Sequence, residues 1–421
     1  MTNKGLSTDS YKGVRDFYPE EMAVQRYMFD VWSQTAESFG FEHYDASVLE
    51  PSDLYKAKGA ENAEMVNEQT YTFTDRGDRE VTLRPEMTPT VARMIAGKRR
   101  ELSFPVRWYS IPNLFRYERA QRGRLREHWQ LNCDIFGTDD YTADVEVISL
   151  AYQIFMNFGA DEKMFKIHVN NRKSMKAAYN ALGIEEEKMI DAITRLNDRK
   201  NKITAFEYKE ALVEIVHNKT LATDIQKMVD STDPGDNKVI KGLEALGINN
   251  VQIDRSIARG FNYYTGTIFE FFDTDPENNR ALLGGGRYDN LTEMFGGEAI
   301  PGIGFGFGDV TMRHFLESHD LLTSNITAPE LVVIPAETTQ NLEAQKVAQF
   351  FRTAGMSVSV NMGTQKLGKK ISSAGEALVE YVLVLGENEI NSGTYIVKNL
   401  IDKEEITGTL PELVERLTGK I

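Results

Sequence analysis

Residues Phe115–Gly137 read FRYERAQRGRLREHWQLNCDIFG. Upstream, Val106–Ser110 and Asn113–Tyr117 alternate in the manner of strands, and His128–Phe136 returns as another strand. Between them Arg119–Arg126 is polar and holds Gly123, which predicts an exposed loop. The stretch is therefore a β-hairpin with a long basic tip. Arginines stand at 116, 119, 122, 124 and 126, in a chain whose formal net charge is −15. Arginine grips phosphate with two parallel hydrogen bonds and never loses its charge. The loop arginines suit a polynucleotide backbone, while Arg116 points into whatever the sheet covers. A solvated hairpin tip with scattered ion pairs accounts for the same run equally well.

Working outward, residues 20–39 carry a helical apolar stripe (Met22, Tyr27, Phe29, Val31, Trp32, Phe39) that Gly40 is placed to end. Phe41–Leu49 reads as a strand closed by Pro51, Val81–Leu83 as a short strand, and 88–100 as a helix. A helix over Thr142–Phe158 follows the hairpin. Residues 173–250 are rich in Lys and Glu at helical spacing and predict a helical insertion. Strand character returns over Ile253–Phe272, and a glycine-dense region spans 284–308. A helix is expected from Asp309, a good N-cap residue type. From about Pro329, strands at Leu331–Ile334, Met356–Val360 and Tyr381–Leu385 alternate with helices at Gln340–Ala354 and Leu367–Ala377. That alternation predicts an α/β unit with a mostly parallel sheet. No internal repeat is evident.

Three more segments carry candidate chemistry. TLRPEMTP (82–89) places the Glu86 carboxylate beside the Thr88 hydroxyl at a strand end, which suits an ammonium group; a salt bridge or a helix N-terminal acid explains it too. SIARGFNYYTGTIFEF (256–271) sets Arg259 in an apolar, aromatic stretch, where a guanidinium needs an anionic partner. Tyr263 and Tyr264, read as strand residues, would face opposite sides, one packing and one lining a pocket. In the third segment, glycines at 302, 304, 306 and 308 alternate strictly. Alternation gathers them on one strand face, which a ring such as adenine or another backbone can approach closely.

Several classes are excluded. There is no GxxxxGK[ST], no HExxH and no GxSxG. The single Cys133 can form neither an intrachain disulfide nor a zinc framework. Met1–Lys12 lacks an apolar signal core, and no apolar run approaches the roughly 20 residues that cross a bilayer. A cytoplasmic protein with no membrane partner is expected, and the six histidines read as ordinary surface or core residues.

Taken in order, these four segments resemble class II aminoacyl-tRNA synthetases; ARGFNYYTGTIFEF, TLRPE and GVRDFYPEE (13–21) resemble the histidine-specific family in particular. The resemblance implies an α+β fold: an antiparallel sheet flanked by helices over residues 1–325, with the insertion at about 173–250, and a C-terminal α/β anticodon-binding domain over 329–421. It implies ligation of L-histidine to tRNA(His) through an adenylate, with ATP as substrate and Mg²⁺ on its phosphates. Residues 20–51 correspond to motif 1, which implies a homodimer. Arg116 would hold the α-phosphate and Glu118 the adenine, with Gly306 and Gly308 flooring the ATP site. Glu86, Thr88 and Gln130 would bind histidine, Asp134 would accept a hydrogen bond from its imidazole, and Tyr263, Tyr264 and Tyr288 would close the pocket. Arg259 would contact both the histidine carboxylate and the α-phosphate. Gln121, Arg122 and Arg124 would meet the tRNA acceptor end, and Lys366, Lys369 and Lys370 either the anticodon stem or solvent.

Two positions depart from the family pattern. Motif 3 ends in a Glu-Arg pair whose arginine holds the γ-phosphate, and here the pair is Val310-Thr311. Arg313 follows, but a helix turns it to a different side, so another cation or Mg²⁺ must take that role. The residue after the Arg-Gly pair is Phe261, followed by Asn262 where Asp is usual. The altered motif 3 leaves open a non-catalytic paralogue, the regulatory subunit of ATP phosphoribosyltransferase, which generally lacks a domain like 329–421.

Overall fold

The computed structural model describes residues 5–56, 69–119, 121, 123–257, 263–278, 280–323 and 328–419, except the side chain of Asn201. Arg122, Arg259 and Asn262 lie outside the described residues. The chain divides into two compact units, Met1–Ser324 and Asn325–Ile421.

The first unit is built on one large sheet. Its strands are β1 (Glu42–His43), β5 (Val106–Ser110), β6 (Asn113–Phe115), β7 (Glu127–Phe136), β8 (Phe165–Asn171), β9 (Val251–Ile253), β10 (Thr267–Asp273), β11 (Ala281–Arg287) and β12 (Gly302–Gly308). They run in the order β1-β5-β7-β12-β11-β10-β8-β9, with β6 joined to β7. The centre is antiparallel, as expected; only the edge pairs β1/β5 and β8/β9 are parallel. A small antiparallel sheet of β2 (Leu49–Pro51), β4 (Glu80–Leu83) and β3 (Tyr71–Thr74) lies apart from it. The single strand expected over Phe41–Leu49 is thus two short ones, and they belong to different sheets.

Two long helices cover one sheet face. In Pro19–Ser38, Val24, Met28, Trp32 and Ala36 recur every fourth residue and are buried, the spacing that keeps side chains on one helix face. Gly40, at φ +77°, ends the run in a conformation that suits glycine. Tyr141–Asn157 starts where the Asp140 carboxylate accepts the Thr142 N–H at 2.8 Å. Its Phe155 meets Phe165, Phe271, Phe307 and Phe315, and this aromatic cluster forms the centre of the core. Ile303, Phe305 and Phe307 of β12 point into it.

Helices Arg172–Ala181, Glu187–Asn197, Ala205–Val216 and Lys219–Asp230 form a separate core, where the buried Asn197 amide links the Tyr179 and Tyr208 hydroxyls at 2.9 and 2.7 Å. Helix Lys238–Ala245 instead packs Val239, Ile240 and Leu243 into the main core.

In the second unit β13 (Leu331–Pro335), β14 (Val358–Val360), β15 (Tyr381–Leu385), β16 (Tyr395–Asn399) and β17 (Glu405–Gly408) form a sheet in the order β14-β13-β15-β16-β17. It is mixed, not mostly parallel: β14, β13 and β15 are parallel and the last two pairings antiparallel. The links from β15 to β16 and from β16 to β17 fall short of the dozen or so residues a parallel crossover needs. Lys370, read above as a surface cation, is buried and donates to the Pro335 carbonyl at 3.2 Å.

A buried ion pair ties β11 to the helix beneath the sheet. Arg287 reaches Asp144 through Nε at 2.8 Å and also donates to the Thr138 and Asp140 carbonyls. Removing the Asp144 carboxylate leaves the buried Arg287 guanidinium with Asp289, at 3.6 Å, as its remaining charged partner among the described residues. The Asp144→Ala variant is expected to lose about 3–5 kcal/mol of stability, measured as a lower denaturant midpoint; an unchanged midpoint would contradict a structural role for the pair.

Candidate active site

The sheet face opposite the aromatic core carries the site, and the glycines of β12 make it. Register sets Gly302, Gly304, Gly306 and Gly308 opposite Phe136, Asp134, Asn132 and Gln130 of β7. A Cβ on Gly304 would stand 2.1 Å from Asp134 Oδ1 and 2.7 Å from the Tyr288 hydroxyl. A Cβ on Gly306 would meet the Gln130 amide at 2.7–2.9 Å. The strand face is bare because side chains from β7 and from beyond β11 lie across it. At Gly308, among the described residues, only Thr311 Oγ1, at 3.6 Å, would be near a Cβ.

Over this floor lies a cavity of about 110 Å³ lined by Glu86, Thr88, Gln130, Asp134, Tyr263, Tyr264 and Tyr288, with Arg116 at its edge. Asp134 is buried and accepts a hydrogen bond from the Tyr288 hydroxyl. Burial raises its carboxyl to about 7, against the lowering effect of Tyr288. Glu86, also buried, accepts from the Tyr263 hydroxyl at 3.2 Å. It is held where β4 ends, because buried Arg84 clamps that corner to the Ala46 carbonyl at 2.7 Å and the Asn113 carbonyl at 3.0 Å. Tyr263 and Tyr264 do not split between core and pocket as read above. They precede β10 in a turn, where strand alternation does not apply, and their rings lie 4.8 Å apart facing one cavity.

A second cavity, about 170 Å³, adjoins the first: Arg116, Gln130, Gly284 and Gly306 line both. It also takes in Glu118, Arg124, Gly308 and Thr311. Arg116 stands at the junction, its Nε donating to the Pro85 carbonyl at 2.8 Å. Arg124 pairs with Glu118 at 3.1 Å across the hairpin tip, which closes in a tight turn with mutual backbone hydrogen bonds between Gln121 and Arg124 and Gly123 at φ +77°. Arg126 leaves the cavity altogether; it stacks on Tyr117 at 4.2 Å and donates to the Tyr11 hydroxyl, tying down the N-terminal segment.

Some site residues escaped the sequence reading. His128 lines the second cavity; desolvation, then Arg116 and Arg15, lowers its imidazole to about 3, so it stays neutral. Asn132 lines the first cavity, and its place two residues from Gln130 on one strand face could have signalled it. Asp309 is not the N-cap of its helix. It is the first helical residue, after Gly308 as cap, and its buried carboxylate holds Arg15 at 2.6 Å and the Trp129 N–H at 3.0 Å. Thr311 donates to the Leu282 carbonyl at 2.7 Å, and Arg313 turns aside to pair with Glu317 at 2.8 Å.

Two adjoining cavities that meet at one guanidinium have the chemistry to take a small donor-bearing molecule beside the carboxylates and an anion beside the arginines. Residues 13–308 match the family model described as histidyl-tRNA synthetase, and residues 330–420 match an anticodon binding domain. The chain is 41% identical over 439 aligned positions to a histidine–tRNA ligase of Leptospira biflexa, covering all of both chains. It is 36% identical to that of Thermoplasma volcanium, over 97% of this chain and 98% of the relative. A solved histidyl-tRNA synthetase from Nostoc sp. PCC 7120 superposes with a TM-score of 0.80 at 24% identity, covering 99% of this chain and 100% of the other. An ATP phosphoribosyltransferase regulatory subunit/histidyl-tRNA synthetase from Bacillus halodurans superposes at 0.70 and 22% identity, over 88% of this chain and 97% of the other. The chain belongs to the histidyl-tRNA synthetase family.

Gly304 is the position at which the floor tolerates least. Gly304→Ala would drive a methyl into Asp134 and the Cys133 carbonyl. The expected result is a loss of about 1–3 kcal/mol, the usual cost of overpacking, read as a lower denaturant midpoint. Wild-type stability in this variant would show that the floor has slack.

Proposed function

We propose that the chain activates L-histidine with ATP, releasing pyrophosphate, and then passes the histidyl group from the adenylate to the 3′ end of tRNA(His). The observation that carries this reading is the buried Asp134–Tyr288 pair, in a small cavity that opens at Arg116 into an arginine-lined one. Asp134 accepts the imidazole N–H, and Glu86 and Thr88 take the ammonium end. Such a pocket rejects apolar amino acids, which would leave its buried polar groups without partners. The histidine carboxylate is itself the nucleophile: its oxygen bonds to the α-phosphorus as the bond to the β-phosphate oxygen breaks, and pyrophosphate leaves. No general base is needed. The task is to bring two anions together and stabilise charge at phosphorus, which Arg116 does from the junction. By family resemblance Arg259 assists it from the histidine side, Glu118 meets adenine, and Gln130 orients the amino acid.

Mg²⁺, when bound, neutralises the phosphates. Among the described residues no cluster of three or more His, Cys, Asp or Glu could hold a metal ion; the ion would be carried largely by the ATP phosphates. Glu270 would complete its shell, since register sets it on the same sheet face as Gly284 and Gly306. Gln121, Arg122 and Arg124 would meet the tRNA acceptor end. Residues 20–51 would form a homodimer interface, and the protein would work in the cytoplasm; no described helix is long and apolar enough to cross a membrane. The regulatory-paralogue reading is not favoured, because the relatives that span the whole chain are named as ligases.

Histidine-dependent ATP–pyrophosphate exchange tests the proposal. Exchange with histidine and none with other amino acids is expected; histidine binding without exchange would restore the paralogue reading. The raised Asp134 carboxyl adds a pH signature. Above about pH 7 it is an ionised acceptor; as pH falls through that value it protonates and loses the imidazole N–H. The KM for histidine should therefore rise by up to about tenfold per pH unit below about 7, with a flatter profile in Asp134→Asn. Parallel profiles for the two proteins would exclude Asp134 as the titrating group.

A further inference from the structure

A third cavity, of about 390 Å³, lies beyond Thr311 and is lined by Gln121, Gly123, Arg280, Leu282, Thr311 and His314, with Glu277 and Asn278 at its rim. It continues the arginine-lined cavity, because Gly123, Leu282 and Thr311 line both. Arg280 directly precedes β11. Its Cδ would touch a Cβ on Gly123 at 3.6 Å, so its stem packs along the hairpin turn while its head group faces the cavity.

Glu118 is paired with Arg124, Glu277 is the one carboxylate among the described residues that line this cavity, and no described carboxylate lies within ion-pair range of Arg280. Burial lowers the Arg280 guanidinium, and Arg124 lowers it further, with only Glu118 opposing. Two guanidiniums that repel across a cavity favour a polyanion between them. Thr311 leaves the space: its short side chain is bound back to Leu282 and Gly308. A chain of phosphates that starts at Arg116 and passes Gly308 reaches this third cavity next.

The geometry points to Arg280 as the residue that binds the β- and γ-phosphates of ATP in this chain, filling from the β11 side a role for which position 311 holds no arginine. The assignment rests on the adenylation reading. In the reaction Arg280 keeps hold of the pyrophosphate as the α–β bond breaks and the bridging oxygen takes the electron pair.

The test compares wild type, Arg280→Ala, Arg280→Lys and the double variant Arg280→Ala/Thr311→Arg, all full length. Calorimetry with ATP–Mg²⁺ and with AMP needs no turnover, so it stands even if wild type shows no exchange, an outcome that would count against the adenylation reading alone. Arg280→Ala should bind ATP about ten- to a hundredfold more weakly, the usual loss for a charge-assisted hydrogen bond, with AMP affinity unchanged. Arg280→Lys should recover part of the loss, and the added Thr311→Arg should recover much of it. In pyrophosphate exchange the KM for ATP should rise while that for histidine stays within about twofold. Equal losses for ATP and AMP, or unchanged ATP affinity in Arg280→Ala, would overturn the assignment.

Discussion

The site depends on one strand face that carries no side chains. β12 lies between β7 and β11 with partners on both edges, so its backbone is held although four alternate residues are glycine. Glycine weakens a strand because it costs backbone entropy and packs nothing. Here Phe305 and Phe307 compensate by burying their rings on the opposite face. The bare face then serves as a floor on which Gln130, Asp134 and Tyr288 lie flat. Any larger residue at 304 or 306 would occupy the space of Asp134, Tyr288 or Gln130.

From that floor the site takes its electrostatic polarity. Asp134 and Glu86 are buried at one end, and Arg116, Arg124 and Arg280 gather at the other. The chain is acidic as a whole, yet these three arginines line adjoining cavities. The supports are less conspicuous than the ligands. Asp309 couples the helix after β12 to Arg15 and to the Trp129 backbone, and Arg126 couples the hairpin to Tyr11. The N-terminal segment is thereby tied both to the hairpin and to the helix after β12.

Much of this was legible in the sequence, for a local reason. Alternating glycines in a strand must share a face, and an arginine-rich turn between two apolar runs must be a hairpin tip. Other features involve partners far apart in sequence. The pairing of Asp309 with Arg15 has no local sign, and an acid at a helix start invites the commoner reading as a cap. Tyr263 and Tyr264 obey strand alternation only if they are in a strand, and they are not. Lys370 looked like a surface cation because nothing in its neighbourhood announces the Pro335 carbonyl. His128 lies opposite Leu114 in the β6–β7 pairing, where it feels the charge of Arg116, and that register is a tertiary fact.

By itself the sequence determined the family, most element types, the hairpin, the bare strand and most of the residues that line the first cavity, because each follows from short-range periodicity or a distinctive run. Only the tertiary structure decided how those pieces share charge. It assigned Arg116 to the junction, Arg126 to a brace and Arg313 to a surface pair, and it brought Arg280 to the far side of the gap at Thr311. Periodicity sets which face a side chain takes; which charge it meets there depends on strands and helices brought together from remote parts of the chain.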